Sequence, residues 1–533
     1  MGLKKDLVVY QVYPRSFKDS NDDGIGDIKG ITSKLDYIKS LGVDIIWLSP
    51  VYCSPNDDNG YDISDYLNIN PEFGNMKDMN KLILEAELRG LKIMMDLVIN
   101  HTSDEHEWFK KSVANDPKYK DYYIWRDEPN NWTSFFGGKA WDKIGDKYYL
   151  HLFSKKQPDL NWHNPDVMED IKKVMSFWLD KGIYGFRCDV INIIFKSSLE
   201  NGKKHLVLTG KEHYHQQEGM HKILKELRRD VLNHYDTFTV GETVMVTPKQ
   251  ANDLIYPENE ELDMVFSFSH MEVDQVSNKW FKTKFRPKKL MKVLSMWQKE
   301  VYWNANYLEN HDQPRSISRF GDDKKYHNQS AKMLATLLMS LKGTPYIYQG
   351  QEIGMTNGEF KTMSEFQDVE THTIYHVAKK LGIPKKIRFK MMQKTSRDNA
   401  RTPMQWNKEG GFSKVTPWLK QNPNTKEINV LDQEQDHDSI LNYYRKLIKI
   451  RKNNKVLRYG EFESVLQTKS VFIFRRFDKK KEAIIVLNMS NKEQKIKNDC
   501  EGKLIINNIK KNDYNCVLSP YEARIYIKEI SND

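Results

Sequence analysis

Eight short apolar, β-branched runs alternate with amphipathic helical stretches over most of this chain. Such alternation is typical of a parallel α/β fold, and eight crossovers favour a closed (β/α)8 TIM barrel. Two of the helical stretches, ITSKLDYIKSLG from Ile31 and VMEDIKKVMSFWLDKG from Val167, each close on a glycine. The eight predicted strands are LVVYQVY from Leu7, VDIIWLSPV from Val43, LKIMMDLVIN from Leu91, YGFRCDV from Tyr184, FTVGETV from Phe238, MVFSF from Met264, NYLENHD from Asn306 and TPYIYQG from Thr344.

Two regions interrupt this alternation and divide the chain. Between His101 and about Asp166 the sequence is rich in Trp, Asp, Asn and Gly and has few periodic helices, which predicts a long excursion over the barrel mouth after the third strand. After a helix from Ser439, short alternating runs predict a small antiparallel β domain. We therefore expect a catalytic barrel over 1–101 and 167–455, an inserted loop-rich domain over 102–166, and a C-terminal β-sandwich-like domain over 456–533.

The composition predicts a water-soluble protein of the cytoplasm. No run of 18 apolar residues occurs, the mean hydropathy is -0.71, and the first residues lack the apolar stretch of a signal peptide. Cys53, Cys188, Cys500 and Cys516 show no CxxC or Cys/His spacing, so we expect free thiols and neither a zinc site nor a disulfide framework.

The formal charge of +10 could suggest a nucleic-acid or membrane partner. However, 83 basic residues are interleaved with 73 acidic ones, and short basic clusters such as Lys479, Lys480 and Lys481 lack interleaved aromatic residues. We interpret the charge as a solvated surface. No nucleic acid and no membrane is expected as a partner, and the chain is expected to be a monomer.

Acidic residues follow several of the predicted strands, where a TIM barrel places its active site. A single such residue is well explained as a turn or a helix cap. Several carboxylates converging on one barrel mouth repel one another, so a fold keeps them when they carry out acid/base or nucleophilic chemistry. The acidic strand ends are Asp96 to His101, Arg187 to Asp189, Gly241 to Thr243 and Glu309 to Asp312.

The same segments carry a resemblance that extends from about residue 7 to the end of the chain. DLVINHTSDEH from Asp96, GFRCDVIN from Gly185, VGET from Val240 and ENHDQPR from Glu309 look like the signature regions of the α-amylase family, glycoside hydrolase family 13. The resemblance narrows to the oligo-1,6-glucosidase and α-glucosidase group through three further segments, QPDLNW from Gln157, GTPYIYQGQEIGMTN from Gly343 and SRDNARTPMQW from Ser396.

The resemblance implies a retaining α-glucoside hydrolase with three catalytic acids. Asp189 would be the nucleophile, Glu242 the general acid/base and Asp312 the transition-state stabiliser. Arg187 stands two residues before Asp189, hence on the same strand face, where it would keep that carboxylate ionised. No cofactor is expected for the catalysis itself. Cys188 points the opposite way and is interpreted as a buried wall residue.

The remaining sugar-binding residues are implied by the same motifs. Asp58 would bind a hydroxyl of the non-reducing glucose, Tyr61 would stack on that sugar, and Arg401 would pair with Asp58. For Tyr61 and Arg401 a plain packing or ion-pair role is the alternative. His101 and His311 would bond hydroxyls of the same glucose. We interpret Asp96 as structural support for the site.

The loop DSNDDGIGD from Asp19 presents oxygen-bearing residues at alternating positions, with two glycines. That spacing suits Ca²⁺ or Mg²⁺, although the glutamate that completes an EF-hand is missing, and a polar turn explains the residues about as well. The resemblance favours a structural metal away from the catalysis. The expected ligand set is Asp19, Asn21, Asp23, Ile25 and Asp27.

The linkage preference rests on the residue after the nucleophile. Val190 goes with α-1,6 linkages in this group, where threonine goes with α-1,4, so we expect a short oligosaccharide with terminal α-1,6-linked glucose as the substrate, with α-1,4-linked or sucrose-type glucosides left open as further substrates. QPDLNW points the same way. Trehalose-6-phosphate hydrolase, sucrose isomerase and, more remotely, a non-catalytic glucosidase-like protein are the alternatives. The atypical stretch from Asn201, over 201–231, leaves the preference for the leaving sugar open.

Overall fold

Eight parallel strands form one closed barrel in the computed structural model, which confirms the predicted fold class. Each strand is hydrogen-bonded to the next, and a parallel bridge between Val265 and Asn304 closes the ring. The carboxyl ends of all eight strands therefore meet at one mouth. In chain order the strands are Val9–Val12, Ile45–Leu48, Lys92–Leu97, Gly185–Cys188, Phe238–Glu242, Met264–Phe266, Ala305–Asn306 and Thr344–Tyr348.

The barrel strands are mostly apolar because they are buried on both faces. Every residue of Ile45–Leu48 is buried, for example. The seventh strand, Ala305–Asn306, is much shorter than NYLENHD predicts, and the carbonyl oxygen of the next residue, Tyr307, accepts a hydrogen bond of 2.8 Å from Nε2 of His270 instead of a strand partner. The structure describes residues 6–205, 208–276, 278–497, 501–510 and 516–530.

The helices surround the barrel with one apolar face turned inward. In Pro165–Asp180 the side chain of Asn164 caps the first turn, and the buried residues recur with helical spacing from Val167 to Leu179. The other helices that follow the barrel strands are Ile28–Thr32, Leu35–Leu41, Met76–Leu88, Glu218–Asp230, Pro248–Ile255, Pro287–Glu300, His327–Ser340 and Ile440–Asn453.

The helix predicted from Ile31 is divided into two. Ile28–Thr32 ends before Leu35–Leu41 begins. The hydroxyl groups of Thr32 and Ser33 donate to the carbonyls of Ile28 and Gly30, and such side-chain bonds compete with a continuous helix.

A small sheet domain extends from the barrel after the third strand. Its base is fixed by a buried ion pair of 2.6 Å between Lys196 and Asp159. The domain contains the helix Glu107–Val113 and the antiparallel strands Trp125–Arg126, Trp141–Ile144 and Lys147–Leu150.

Two elements at the mouth were not anticipated from the sequence. The rim hairpin consists of Gln275–Val276 and Asn278–Lys282, and the rim helices are Val369–Lys380 and Lys385–Thr395. The rim helices belong to a long excursion between the eighth strand and Ile440–Asn453. This excursion also supplies the short helix Asp398–Arg401, which bears on the site.

The C-terminal region forms an antiparallel sheet, as predicted. Within the described ranges no helix is long and apolar enough to cross a membrane. Cys53 and Cys188 are free thiols, and Cys500 lies outside the described residues. The sheet contains Glu461–Gln467, Val471–Phe477, Lys481–Asn488, Ala523–Glu529 and Lys503–Asn507, and a second pair joins Gln494–Lys495 to Val517–Leu518.

Candidate active site

The three predicted catalytic acids stand together at the carboxyl ends of the strands. Glu242 ends the fifth strand, Asp189 follows the fourth, and Asp312 lies in the turn after the seventh. Asp189 and Glu242 are 6% and 5% exposed, respectively, whereas the side chain of Asp312 is 28% exposed. The pocket is thus open above Asp312 and closed around the other two acids.

The backbone turns sharply directly after Asp189. Val190 has φ of 34°, a left-handed conformation that is strained for a β-branched residue. Its amide nitrogen lies 3.3 Å from Oε2 of Glu242. This turn therefore brings the backbone of Val190 against the carboxyl group of Glu242, and the side chain of Val190 packs in an apolar cluster with Trp132.

Arg187 is the centre of a buried charge cluster. Its Nη1 lies 2.5 Å from Asp189 and 2.7 Å from Asp96, and its Nη2 lies 2.6 Å from Glu242. Asp96 also accepts a hydrogen bond of 2.9 Å from the indole of Trp47, consistent with a supporting role. One guanidinium group thus forms ion pairs with three carboxyl groups.

This ratio of charges favours retention of a proton in the cluster. Burial raises the pKa of Asp189 well above its usual range, and although Arg187 opposes that effect, the carboxyls of Glu242 and Asp96 add to it. Burial likewise raises the pKa of Asp96 to about 6. Because three buried carboxylates beside one cation repel one another, at least one of them is expected to hold a proton near neutral pH.

The two predicted histidines are buried and both contact Tyr61. Nε2 of His311 is 2.7 Å from the hydroxyl of Tyr61, and the two rings are stacked with centroids 5.2 Å apart. Nε2 of His101 is 3.1 Å from the amide of Gln157. Burial lowers the pKa of His311 to about 3 and that of His101 to about 4, so both are neutral hydrogen-bonding groups at physiological pH.

The predicted pairing of Arg401 with Asp58 is wrong. Asp58 instead pairs with Arg397 at 2.9 Å, while Arg401 donates to Asp312 at 2.8 Å. Both arginines belong to the quoted SRDNARTPMQW segment, but the turn of Asp398–Arg401 directs Arg401 towards the seventh strand. Nε of Arg401 also donates to the carbonyl of His311.

Sequence reasoning missed two residues of this wall. Arg397 contacts Asp58, Asp368 at 2.7 Å and, at 3.5 Å, Asp312. The amide of Gln157 lies 3.3 Å from Asp58 and is fully buried. Both residues lie inside motifs identified from the sequence. The motifs therefore pointed to these positions, but only the folded chain shows which residues they contact.

Charge around Asp312 differs from that around Asp189. Burial would raise the pKa of Asp312, but the ring of His311 and the cations Arg397 and Arg401 outweigh it and hold that pKa well below the usual range. Asp312 is therefore expected to be ionised at neutral pH, whereas the cluster around Arg187 is expected to hold a proton.

The atypical stretch over 201–231 docks on the inserted domain. Thr209 exchanges hydrogen bonds with Thr133, and the side-chain amide of Asn131 donates to the carbonyl of Gly202 at 2.8 Å. Tyr214 packs in one apolar cluster with Trp132 and Val190. The stretch thereby supports the wall beside the nucleophile; residues 206 and 207 lie outside the described part.

The loop from Asp19 is wound around its own carboxylates. Asp19 accepts hydrogen bonds from the backbone of Asn21 and Gly24, at 3.0 and 2.9 Å. Asp27 caps the following helix and accepts from the amide of Ser20 at 2.7 Å. Among the described residues, no cluster of three or more His, Cys, Asp or Glu side chains could hold a metal ion.

Known proteins are similar to this chain in both sequence and fold. The family model of the α-amylase catalytic domain matches residues 11–460. Oligo-1,6-glucosidases from Parageobacillus thermoglucosidasius and Bacillus cereus are 50% and 49% identical to the chain, covering 92% and 98% of it and 90% and 98% of their own lengths, respectively. A crystal structure of trehalose-6-phosphate hydrolase from Bacillus licheniformis is 42% identical, with a TM-score of 0.93 over 98% of this chain and 99% of that chain.

Proposed function

The chain belongs to the α-amylase family of glycoside hydrolases, and we propose that it is a retaining, exo-acting α-glucosidase that removes terminal α-1,6-linked glucose from short oligosaccharides. The observation that carries the proposal is the guanidinium of Arg187, which contacts both Asp189 and Glu242. A single bridging group favours the roughly 5 Å carboxyl separation of retaining enzymes over the wider spacing of inverting ones.

In the first step of this mechanism, a carboxylate oxygen of Asp189 attacks the anomeric carbon. Glu242 gives its proton to the glycosidic oxygen, so the leaving sugar departs as an alcohol and a covalent glucosyl-enzyme remains. In the second step Glu242, now a carboxylate, takes a proton from water. That water displaces Asp189, releases glucose with its original α configuration and restores both groups.

The end of the pocket supports cleavage of one terminal glucose at a time. Asp58 is held by Arg397 and Gln157, and Tyr61 and His311 form the neighbouring wall. If the sugar chain continued beyond the terminal glucose, these buried polar groups would lose their hydrogen bonds to the hydroxyls of that glucose. Leaving buried polar groups unpaired costs free energy. A terminal glucose is therefore the unit that fits.

We expect the wild-type protein to hydrolyse isomaltose with a higher kcat/KM than maltose, and Val190→Thr to raise the maltose to isomaltose ratio severalfold. Val190 directly follows Asp189 and its backbone amide contacts Glu242, so a hydroxyl in place of a methyl at this position would change the surface offered to the leaving sugar. Small polarity changes in a pocket shift discrimination by about 1–3 kcal/mol. The measurement is kcat/KM on isomaltose, maltose, sucrose, isomaltulose and trehalose 6-phosphate.

Val190→Ile serves as a control, because it changes volume without adding a hydrogen-bonding group. A wild-type enzyme that favours maltose, with a ratio that Val190→Thr leaves unchanged, would refute the α-1,6 assignment. Rapid cuts in the middle of long dextran chains would count against exo action.

We also propose a structural Ca²⁺ or Mg²⁺ in the loop from Asp19. Its side chains offer only hard oxygen donors, which suits either ion. Because no three acidic side chains of the described chain cluster there, the ligands would have to include the amide oxygen of Asn21 and a backbone oxygen such as that of Ile25. The metal would stabilise the loop and take no part in bond cleavage.

Excess EDTA should lower the melting temperature, since an ion that binds only the folded state stabilises it by mass action. Re-addition of Ca²⁺ or Mg²⁺ should restore it, and kcat well below the melting temperature should change little. Asp23→Ala should remove the response. A melting curve that EDTA leaves unchanged, with no metal detected by elemental analysis, would identify the loop as a polar turn.

A cytoplasmic location and a monomeric state are further proposals. Free Cys53 and Cys188 are typical of a reducing compartment. Light scattering of the purified protein measures the oligomeric state directly.

A further inference from the structure

A lysine lies buried close to the predicted sugar-binding residue His101. Lys196 follows the nucleophile Asp189 by seven residues, and its side chain is 1% exposed. Lysine is almost never buried to this extent unless it is paired, because removing its charge from water costs free energy. An apolar side chain of similar length would fill the same space at a lower cost. The ammonium group of Lys196 therefore needs an explanation beyond packing.

The ammonium group binds oxygen atoms of two segments that meet at the base of the inserted domain. Its Nζ lies 2.6 Å from Oδ2 of Asp159 and 2.8 Å from Oδ1 of Asn100. The carbonyl oxygen of Ile194, at 3.2 Å, is a third acceptor. Asp159 and Asn100 are both fully buried. Lys196 thus joins the inserted domain to the residue that precedes His101.

These contacts define the orientation of the side-chain amide of Asn100. The oxygen and the nitrogen of an amide are distinguished by their partners, since the oxygen accepts hydrogen bonds and the nitrogen donates them. Lys196 can only donate, so the amide atom beside it is the oxygen. The carboxylate of Asp159 can only accept and lies 3.1 Å from the other amide atom, which is therefore the nitrogen. The same nitrogen lies 3.2 Å from Nδ1 of His101.

An amide nitrogen at that position selects one tautomer of His101. Burial lowers the pKa of His101 to about 4, so the ring is neutral and only one of its nitrogens carries a proton. Nδ1 accepts from Asn100, which leaves the proton on Nε2. Nε2 then donates to the carbonyl oxygen of Tyr61 at 3.1 Å. The other tautomer would set a lone pair against that carbonyl and two N–H groups against each other at Nδ1.

A competing contact makes this choice of tautomer depend on Lys196. The amide nitrogen of Gln157 lies 3.1 Å from Nε2 of His101 and could donate to it only if Nε2 carried no proton. With Nε2 protonated, the amide of Gln157 donates instead to Asp58 at 3.3 Å. If Asn100 were free to rotate, its oxygen could accept from a protonated Nδ1. Gln157 would then turn from Asp58 to His101, and the end of the pocket would be rearranged.

We propose that Lys196 is a positioning residue that fixes His101 as the tautomer protonated on Nε2, so that His101 meets the terminal glucose as a hydrogen-bond donor. Lys196 acts through Asn100 and does not contact the sugar itself. This inference rests on the proposed glucosidase function, in which the terminal glucose binds beside Asp58. The other tautomer would present a lone pair where a donor is needed and would weaken binding of that glucose.

Neutron diffraction from crystals of the deuterated protein locates the protons directly. We expect deuterium on Nε2 of His101, none on Nδ1, and a deuterated nitrogen of Asn100 facing Nδ1. In Lys196→Met, which keeps most of the side-chain length without the charge, Nδ1 should become at least partly occupied. Deuterium on Nδ1 in the wild type, or an unchanged His101 in Lys196→Met, would overturn the proposal. The wild-type result decides even where Lys196→Met does not fold.

A double-mutant cycle with His101→Ala tests whether Lys196 acts through His101. The substrate is p-nitrophenyl α-glucoside, which reports on binding of the terminal glucose whatever the linkage preference. Lys196→Met should lower kcat/KM by about fivefold to tenfold, the scale of one hydrogen bond, mainly through a higher KM. In the His101→Ala background the same substitution should change kcat/KM by less than about twofold, because the residue it orients is already absent.

Lys332→Met is the matched control. Lys332 lies in the helix His327–Ser340, is also 1% exposed and pairs with an aspartate, Asp438, at 3.2 Å. Its loss should lower the melting temperature without changing the tautomer of His101 or kcat/KM. If Lys196→Met cost the same kcat/KM with and without His101, the lysine would only anchor the inserted domain and the proposal would fail. A wild-type protein inactive on the glucoside would refute the proposed function and leave the neutron result standing.

Discussion

Asp189→Asn and Glu242→Gln should each lower kcat for isomaltose by about 10⁴-fold or more, the scale of loss when a nucleophile or its proton-transfer partner is removed. Neither change should unfold the protein. Three buried carboxyl groups surround the one guanidinium of Arg187, so an amide at either position removes surplus negative charge from the cluster. The melting temperature is therefore expected to stay at the wild-type value or rise, while turnover is lost.

Azide distinguishes the two roles. With an activated glucoside, azide should rescue Asp189→Ala by entering from the face that the nucleophile has vacated, and the product is then the β-glucosyl azide. In Glu242→Ala, azide should attack the covalent intermediate held by Asp189 and give the α-glucosyl azide. The same anomer from both variants, or wild-type turnover in Asp189→Asn, would contradict the assignment.

The barrel and its acids were predictable because each strand carries its own signal. A buried parallel strand is mostly apolar, so the acid that follows it, as Asp189 follows Gly185–Cys188, stands out locally. The motif resemblance then ordered these acids into roles. Both kinds of evidence are contained in short stretches of sequence, and the folded chain brings those stretches to one mouth.

Ion-pair partners were not predictable in the same way. Arg397 and Arg401 are four residues apart in one motif, and each could have reached Asp58. Which one does so depends on the turn of Asp398–Arg401 and on the position of His311, whose carbonyl binds Arg401. The contact between the rim hairpin and the rim helices was missed for a related reason, since these elements are far apart in the sequence and meet only where Trp280 and Met392 pack together.

Asp312→Asn should lower kcat by about 10² to 10³-fold, the usual cost of removing one preorganised electrostatic stabiliser. His311, Arg397 and Arg401 hold the pKa of Asp312 well below its usual range, so its carboxylate is expected to be charged at neutral pH and to oppose the positive charge that develops on the sugar ring. The variant should therefore lower the plateau of the pH profile of kcat without moving its acid limb.

The same shift has a defined effect on stability. A carboxyl whose pKa is depressed by folding stabilises the protein above the ordinary aspartate pKa of about 4, and this contribution declines as the pH falls below that value. The melting temperature of Asp312→Asn should accordingly lie below that of the wild type at pH 7, and the difference should shrink in acid. Asp368→Asn is the control, because it takes a carboxylate from the same Arg397 and should cost far less in kcat. Equal losses of kcat in the two variants would mean that Asp312 acts only by holding its arginines, and its role at the transition state would have to be abandoned.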